Sequence, residues 1–233
     1  MEKKNCLQSE LNKVSEDWLE NKIAVNTADV IRRCAELYRV LGGGNNLLDI
    51  GCGYGFTDIY LSYFYNTVHG LEVSEKNYNI ARHNSSKNNN IKIFFEDARH
   101  FKSDIKYDSV LFETTLNVLE SKNMFYEMFD NISTLLSNNA KILFVAINDI
   151  ELKEQYINRL PLILKAKGFA ENKIFEIVER NKNTKGTAYW HKIDFQNYFQ
   201  KFDAKIKYFP SSYKDNPSYE VTFDMLVEIK KWD

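Results

Sequence analysis

Leu47-Leu48-Asp49-Ile50-Gly51-Cys52-Gly53-Tyr54-Gly55 is the stretch that decides how this chain is read. An apolar run contains a carboxylate, and three glycines follow at alternate positions. That order suits a nucleotide-like ligand held at the carboxyl end of a buried parallel strand. The apolar residues anchor the strand, and the glycines let the backbone turn sharply and come close to a ligand. Asp49 stands where it can reach across the turn.

Working outward, the pattern alternates. A helix is expected over 27–41, with Val30, Ile31, Cys34, Leu37, Tyr38 and Leu41 at helical spacing, ended by Gly42-Gly43-Gly44. A shorter amphipathic helix is expected over 9–18. Strands are expected at 46–50, 67–71, 91–95, 107–112 and 141–147. Helices are expected at 56–64, 74–87 and 124–136, with turns at Asn88-Asn89-Asn90 and Asn138-Asn139. Strands and helices alternating at these lengths imply right-handed βαβ units and a mainly parallel sheet. Beyond Asn148 the pattern changes. A helix over 151–167 should kink or split at Pro161, 173–179 reads as β-like, and 181–186 reads as a loop. A helix over 193–202 and strands at 204–209 and 219–229 close the chain. The expected organisation is one domain with N-terminal helices (1–41), a ligand-binding core (45–148), an insertion on the substrate side (149–192), and a last helix with an antiparallel strand pair (193–233). The fold class is α/β, a three-layer, doubly wound, mainly parallel sheet of seven strands.

With 233 residues, 44% of them hydrophobic, the chain can bury a substantial core. A formal net charge of −1 gives no global field that favours nucleic acid or a membrane surface. Cys6, Cys34 and Cys52 are scattered, with no CxxC or Cys/His spacing, so no metal site is expected and a reducing, cytoplasmic setting is the simplest reading. No secretory h-region and no run of 18 or more apolar residues is present, so neither a signal peptide nor a transmembrane helix is expected.

The quoted stretch resembles motif I of the class I S-adenosylmethionine-dependent methyltransferases, and three further landmarks follow in that family's order. Gly70-Leu71-Glu72-Val73-Ser74 resembles the end of the second strand. Glu96-Asp97-Ala98 resembles the loop after the third. Tyr107-Asp108-Ser109-Val110-Leu111-Phe112-Glu113 resembles the fourth strand. The resemblance covers about residues 27–147 and implies S-adenosylmethionine as the cofactor. Asp49 and the backbone of Gly51, Cys52 and Gly53 would hold its amino-acid end. Glu72, with Val73 beside it, would accept the ribose hydroxyls. Asp97 and the Ala98 backbone would hold the adenine. The rival for the same residues is a dinucleotide site, which also needs glycines after the first strand and an acid about 20 residues on, a place Glu72 fills. Its pattern is GxGxxG, however, whereas here the third glycine comes one position early and Phe56 takes the last place.

Methyl transfer needs an aligned acceptor and, for a hydroxyl, a base. Phe112-Glu113-Thr114-Thr115-Leu116-Asn117 departs from the Asn-Pro-Pro-Tyr pattern of nucleic-acid amino methyltransferases. A small-molecule acceptor is therefore expected, with Glu113 beside it. Thr187-Ala188-Tyr189-Trp190-His191-Lys192 is the substrate-side candidate. Tyr189 and Trp190 would enclose a ligand, and His191 would serve as base, since histidine titrates near neutrality. Tyr54 and Trp18 are further candidates for the pocket border. An O-methyltransferase is the first reading. A small-molecule N-methyltransferase and a non-catalytic, cofactor-binding partner subunit stay open.

Overall fold

The computed structural model describes residues 27–119, 121–166, 168–183, 189–212 and 221–230. The expected helix at 9–18, Trp18 with it, lies outside these residues. Helix α1 (Thr27–Leu41) leads into β1 (Gly44–Ile50). Then come α2 (Phe56–Leu61), β2 (Tyr65–Glu72), α3 (Glu75–Asn84), β3 (Ile91–Phe95) and β4 (Tyr107–Glu113). Helix α4 (Lys122–Ser133) and β5 (Leu136–Asn148) complete the alternating part. Helices α5 (Lys153–Ala166), α6 (Glu171–Asn183) and α7 (Lys192–Phe199) follow, and β6 (Ala204–Pro210) and β7 (Thr222–Ile229) end the fold.

The seven strands form one sheet in the order β3-β2-β1-β4-β5-β7-β6. Strands β1 to β5 run parallel, and β7 lies antiparallel between β5 and β6. The strand order reverses between β1 and β4, so the carboxyl ends of those two strands flank the switch point where open α/β sheets bind ligands. Side chains alternate between the two faces of each strand. Leu48, Ile50, Val110, Phe112 and Phe144 face one way and meet Phe125 and Phe129 of α4 and Phe195 and Phe199 of α7. Leu47, Leu111, Leu143 and Val145 face the other way and meet Leu37 and Leu41 of α1 and Leu61 of α2.

Several element boundaries differ from the sequence reading, each for a local reason. The segment 173–179 is helical, not β-like. Its β-branched residues look strand-forming, but Ile174, Ile177 and Val178 fall at helical spacing and pack on Leu160 and Leu164 of α5. Phe175, between them, points outward and is 69% exposed. Pro161 sits inside α5 without dividing it into two elements. Helix α2 stops at Leu61, short of the expected end at 64, where the Ser62 hydroxyl donates to the Ile59 carbonyl (2.7 Å). Asn138-Asn139 is a bend within the long strand β5 rather than a turn before it. Asn139 takes a left-handed backbone (φ 60), and its N–H donates to the Lys230 carbonyl (3.2 Å).

Phe125 is the hub of the aromatic face. Its ring centroid lies 5.3 Å from those of Trp190 and Tyr198, and 5.8–5.9 Å from those of Phe195, Phe129 and Phe144. Phe125→Ala is expected to destabilise the chain by about 3–5 kcal/mol in chemical denaturation. Leu162→Ala, at a side chain 72% exposed on α5, is expected to stay within about 0.5 kcal/mol.

Candidate functional site

The site starts where β1 ends. The N–H groups of Gly51 and Cys52 both donate to the Leu71 carbonyl of β2 (2.8 and 3.0 Å), which folds the chain back over the sheet edge. Gly51 holds φ +77, and a Cβ there would stand 2.8 Å from Thr115 Oγ1. That hydroxyl donates to the Ile50 carbonyl (2.6 Å), so the turn is braced from the segment after β4. Gly53 holds φ +58, and a Cβ there would meet none of the described residues within 4 Å. The turn is thus closed beneath Gly51 and open above Gly53. That open approach is where a ligand can lie against bare backbone.

Glu72 stands beside this opening and is nearly fully buried. Its Oε1 accepts from the Val73 and Ser74 N–H groups (both 2.8 Å), and its Oε2 accepts from the Gly53 N–H (3.0 Å). Burial pushes its carboxyl up, and these donors, with the Asn77 side chain, hold it back. A carboxylate accepts in about four directions. Most of that capacity here already serves the turn and the start of α3, so a ligand diol would share Glu72 with the backbone. Asp97, in the loop after β3, is gripped by Arg99. The guanidinium reaches Oδ2 through Nε and Nη2 (3.0 and 2.6 Å), and the Arg99 N–H donates to Oδ1 (2.9 Å). Burial works against ionisation of Asp97, but the Arg99 contacts win and hold it below the usual range. Ala98 is buried, and its carbonyl accepts from the Asn131 amide (2.8 Å).

Asp49 is 1% exposed and opposes Gly70 in the β1–β2 register. Burial pushes its carboxyl well above the ordinary range, and Asp58 of α2 adds to the shift. Asp58, fully buried, is pushed up to about 7, chiefly by burial. Cys52 is a buried thiol raised by the same burial and the same acids. Glu113, at the end of β4, pairs with Arg33 of α1 (2.6 Å) and accepts from the Thr57 hydroxyl (2.8 Å). It links α1, α2 and β4 beneath the turn.

The ends of β4 and β5 carry two non-glycine residues in left-handed backbone, Thr114 (φ 60) and Ala146 (φ 57). The Thr114 N–H donates to the Val145 carbonyl (3.0 Å), and the Asn117 amide donates to the Ala146 carbonyl (2.8 Å). The Asp224 carboxylate accepts from the Ala146 N–H (2.8 Å), which fixes a bulge in β5. Such backbone is held only where surrounding bonds over-determine it, typically at functional edges.

The segment 189–191 reaches the same edge. The Trp190 N–H donates to the Asn148 carbonyl (2.9 Å), and the Ile150 N–H donates to the Trp190 carbonyl (3.1 Å). Trp190 corrects the sequence expectation. Its ring is fully buried, stacks on Phe195 (4.9 Å) and directs Nε1 at the Leu116 carbonyl (3.4 Å), so it supports the edge from the core rather than enclosing a ligand. Tyr189 is buried with the Lys153 ammonium over its ring (5.0 Å). His191 is exposed and stands at the N-cap of α7, where its N–H donates to Asp194 (3.1 Å). Tyr54 is half-buried, its carbonyl held by the Asn84 amide (2.9 Å). Among the described residues no cluster of His, Cys, Asp or Glu could hold a metal ion, and no helix is long and apolar enough to cross a membrane.

Asp58, Arg33, Thr57 and Arg99 were not singled out from the sequence. A signal for Asp58 was nonetheless present: a carboxylate one turn before Leu61 on a helix that packs against the sheet, and a glycine, Gly70, inside an apolar strand. A glycine in a strand interior often marks a close approach by another group.

Residues 47–139 match the family model described as a methyltransferase domain. No curated protein sequence matches the chain. Among solved structures, the magnesium protoporphyrin IX methyltransferase ChlM from Synechocystis, with S-adenosylhomocysteine bound, superposes with a TM-score of 0.65 at 14% identity over 98% of this chain and 99% of its own. The plantazolicin methyltransferase BpumL, also with S-adenosylhomocysteine, gives 0.63 at 16% over 98% and 95%. The N-methyltransferase NodS from Bradyrhizobium japonicum gives 0.62 at 13% over 88% and 99%. The strand order, the glycine turn at its switch point and these superpositions agree on the fold, which is that of the class I methyltransferases.

Proposed function

We propose that this chain transfers a methyl group from S-adenosylmethionine to a small-molecule acceptor. The observation that carries the reading is the open face of Gly53, whose N–H is tied to Glu72 while a Cβ on it would meet none of the described residues within 4 Å. The donor set suits this cofactor: a backbone turn and buried acids for a cationic amino-acid end, Glu72 for a diol, and Asp97 with Ala98 for an adenine edge. The ChlM and BpumL structures that share the fold hold the demethylated product.

When bound, S-adenosylmethionine would supply an electrophilic methyl on a cationic sulfonium. Asp49 and the backbone of Gly51, Cys52 and Gly53 would fix the amino-acid end, Glu72 and Val73 the ribose, and Asp97 and Ala98 the adenine. Tyr54 would border the pocket. The strained ends of β4 and β5, with Glu113 beneath them, would shape the acceptor side, next to Tyr189 and His191. Their task is alignment. We read the acceptor as a hydroxyl whose proton His191 removes, an O-methylation. A small amine is the second reading, favoured by the N-methyltransferase NodS among the similar folds and by the exposed helix-cap position of His191.

Calorimetry with S-adenosylhomocysteine should show binding, and Glu72→Ala should weaken it by roughly ten- to a hundredfold, the loss expected for hydrogen bonds to a charged group. Gly53→Ala should weaken it as well, by strain at a left-handed position and by filling the approach. Binding of NADH in place of S-adenosylhomocysteine would overturn the reading. Once a metabolite screen has identified an acceptor that gains one methyl, His191→Asn, which keeps a favourable N-cap, should slow an O-methylation by about a hundredfold or more. Cofactor affinity should stay within about twofold. An unchanged rate would assign the amine reading instead.

A further inference from the structure

Asp58 is completely buried under the glycine turn, and among the described residues neither of its carboxyl oxygens meets an N–H or hydroxyl donor. Its neighbours are the Asp49 carboxyl from β1 and the Cys52 thiol. It also lies over the bare backbone of Gly70, where a Cβ would stand 2.8 Å from Asp58 Oδ2 and 2.9 Å from Cys52 Sγ. Asp49 is buried likewise, and its Oδ1 too lacks a donor. The other charged groups around the pair are Glu72 from the end of β2 and Glu113 from β4. The cation of this cluster, Arg33 of α1, sits against Glu113 at 2.6 Å.

Two carboxyls placed side by side out of water, with a thiol but no N–H or hydroxyl donor on the unpartnered oxygens, cannot both ionise at low cost; one proton between them relieves the repulsion and supplies the missing hydrogen bond. We propose that Asp49 and Asp58 share one proton in the free protein and release it when a cationic ligand end settles above the glycine turn, making Asp58 a positioning residue that brings a second negative charge to that end. The step is a simple ionisation: a carboxylic acid paired with a carboxylate becomes two carboxylates, the proton leaves to solvent, and no electrons change hands. The directions of the shifts at both acids agree. The ligand side of this inference rests on the methyl-donor reading above; the shared proton does not.

The ligand-free full chain tests the shared proton first. A group whose folded pKa is raised above its unfolded value contributes stability fully present below the unfolded pKa, near 4 for Asp, and lost as pH rises through the raised folded value. The melting temperature of the wild type should therefore fall from pH 5 to pH 8, and Asp58→Asn, whose amide can donate to Asp49, should fall distinctly less. Equal slopes would overturn the shared proton. Calorimetry with S-adenosylhomocysteine in two buffers of different ionisation enthalpy tests its release. The wild type should release up to one proton per ligand at pH 6–7, with affinity rising by up to tenfold per pH unit there, and Asp58→Asn should release none. Identical heats in both buffers, or release undiminished in the variant, would overturn the proposal. Should Asp58→Asn fail to fold, the two-buffer result on the wild type decides. If no S-adenosylhomocysteine binds, the donor reading falls, while the melting comparison still judges the pair.

Discussion

The architecture of the site depends on the parallel register of β1. Strand β1 places Asp49 opposite Gly70 on one side and Leu111 on the other, and Ile50 opposite Leu71 and Phe112. A shift of one residue would turn the apolar alternation of Leu47, Leu48 and Ile50 to the wrong faces, so burial on both sides of the sheet enforces the pairing. With that pairing fixed, the Leu71 carbonyl is in place to receive the Gly51 and Cys52 N–H groups, Glu72 lies beside Gly53, and Thr115 reaches the Ile50 carbonyl. The glycine turn is therefore held from its two neighbouring strands and has little freedom of its own.

The acids around this turn divide by what faces them. Glu72 and Asp97 are both met by donors, the first by backbone N–H groups and the second by Arg99. Glu113 has Arg33 and Thr57. Asp49 and Asp58 have chiefly each other and a thiol. Within a few residues the chain thus presents carboxylates held ready as acceptors and a carboxyl pair whose charge depends on what approaches. The first kind can orient a ligand in any state; the second kind responds to a ligand's charge.

The glycine turn at the end of β1 and the acids that follow β2 and β3 stood out in the sequence because each is local. Asp49 and the three glycines sit in one segment, and Glu72 and Asp97 each end a β-unit with its own strand signal. Asp58 escaped notice because its meaning depends on Gly70, which only the β1–β2 pairing brings beneath it. The segment after β5 was less legible for the same reason. Trp190 looked like a pocket wall in a run of aromatics, yet its ring belongs to the Phe125 cluster, whose members come from α4, β5 and α7. At 173–179, β-branched composition concealed a helical spacing that matters only once α5 lies alongside. Burial and pairing set by neighbours far along the chain were misread or missed, whereas the alternation of strands and helices up to β5 follows from patterns within single segments.

The helix pair α5 and α6 has a small apolar core of its own, built on Leu160, Leu164, Ile177 and Val178 and separate from both faces of the sheet. A module that is stabilised internally can be lengthened, reshaped or exchanged without repacking the layers beneath it. Substitutions in that small core are judged chiefly by the fit of two helices, whereas those around Asp49 are judged by three strands at once. The helix pair can therefore tolerate change in its own core without disturbing the turn at the end of β1.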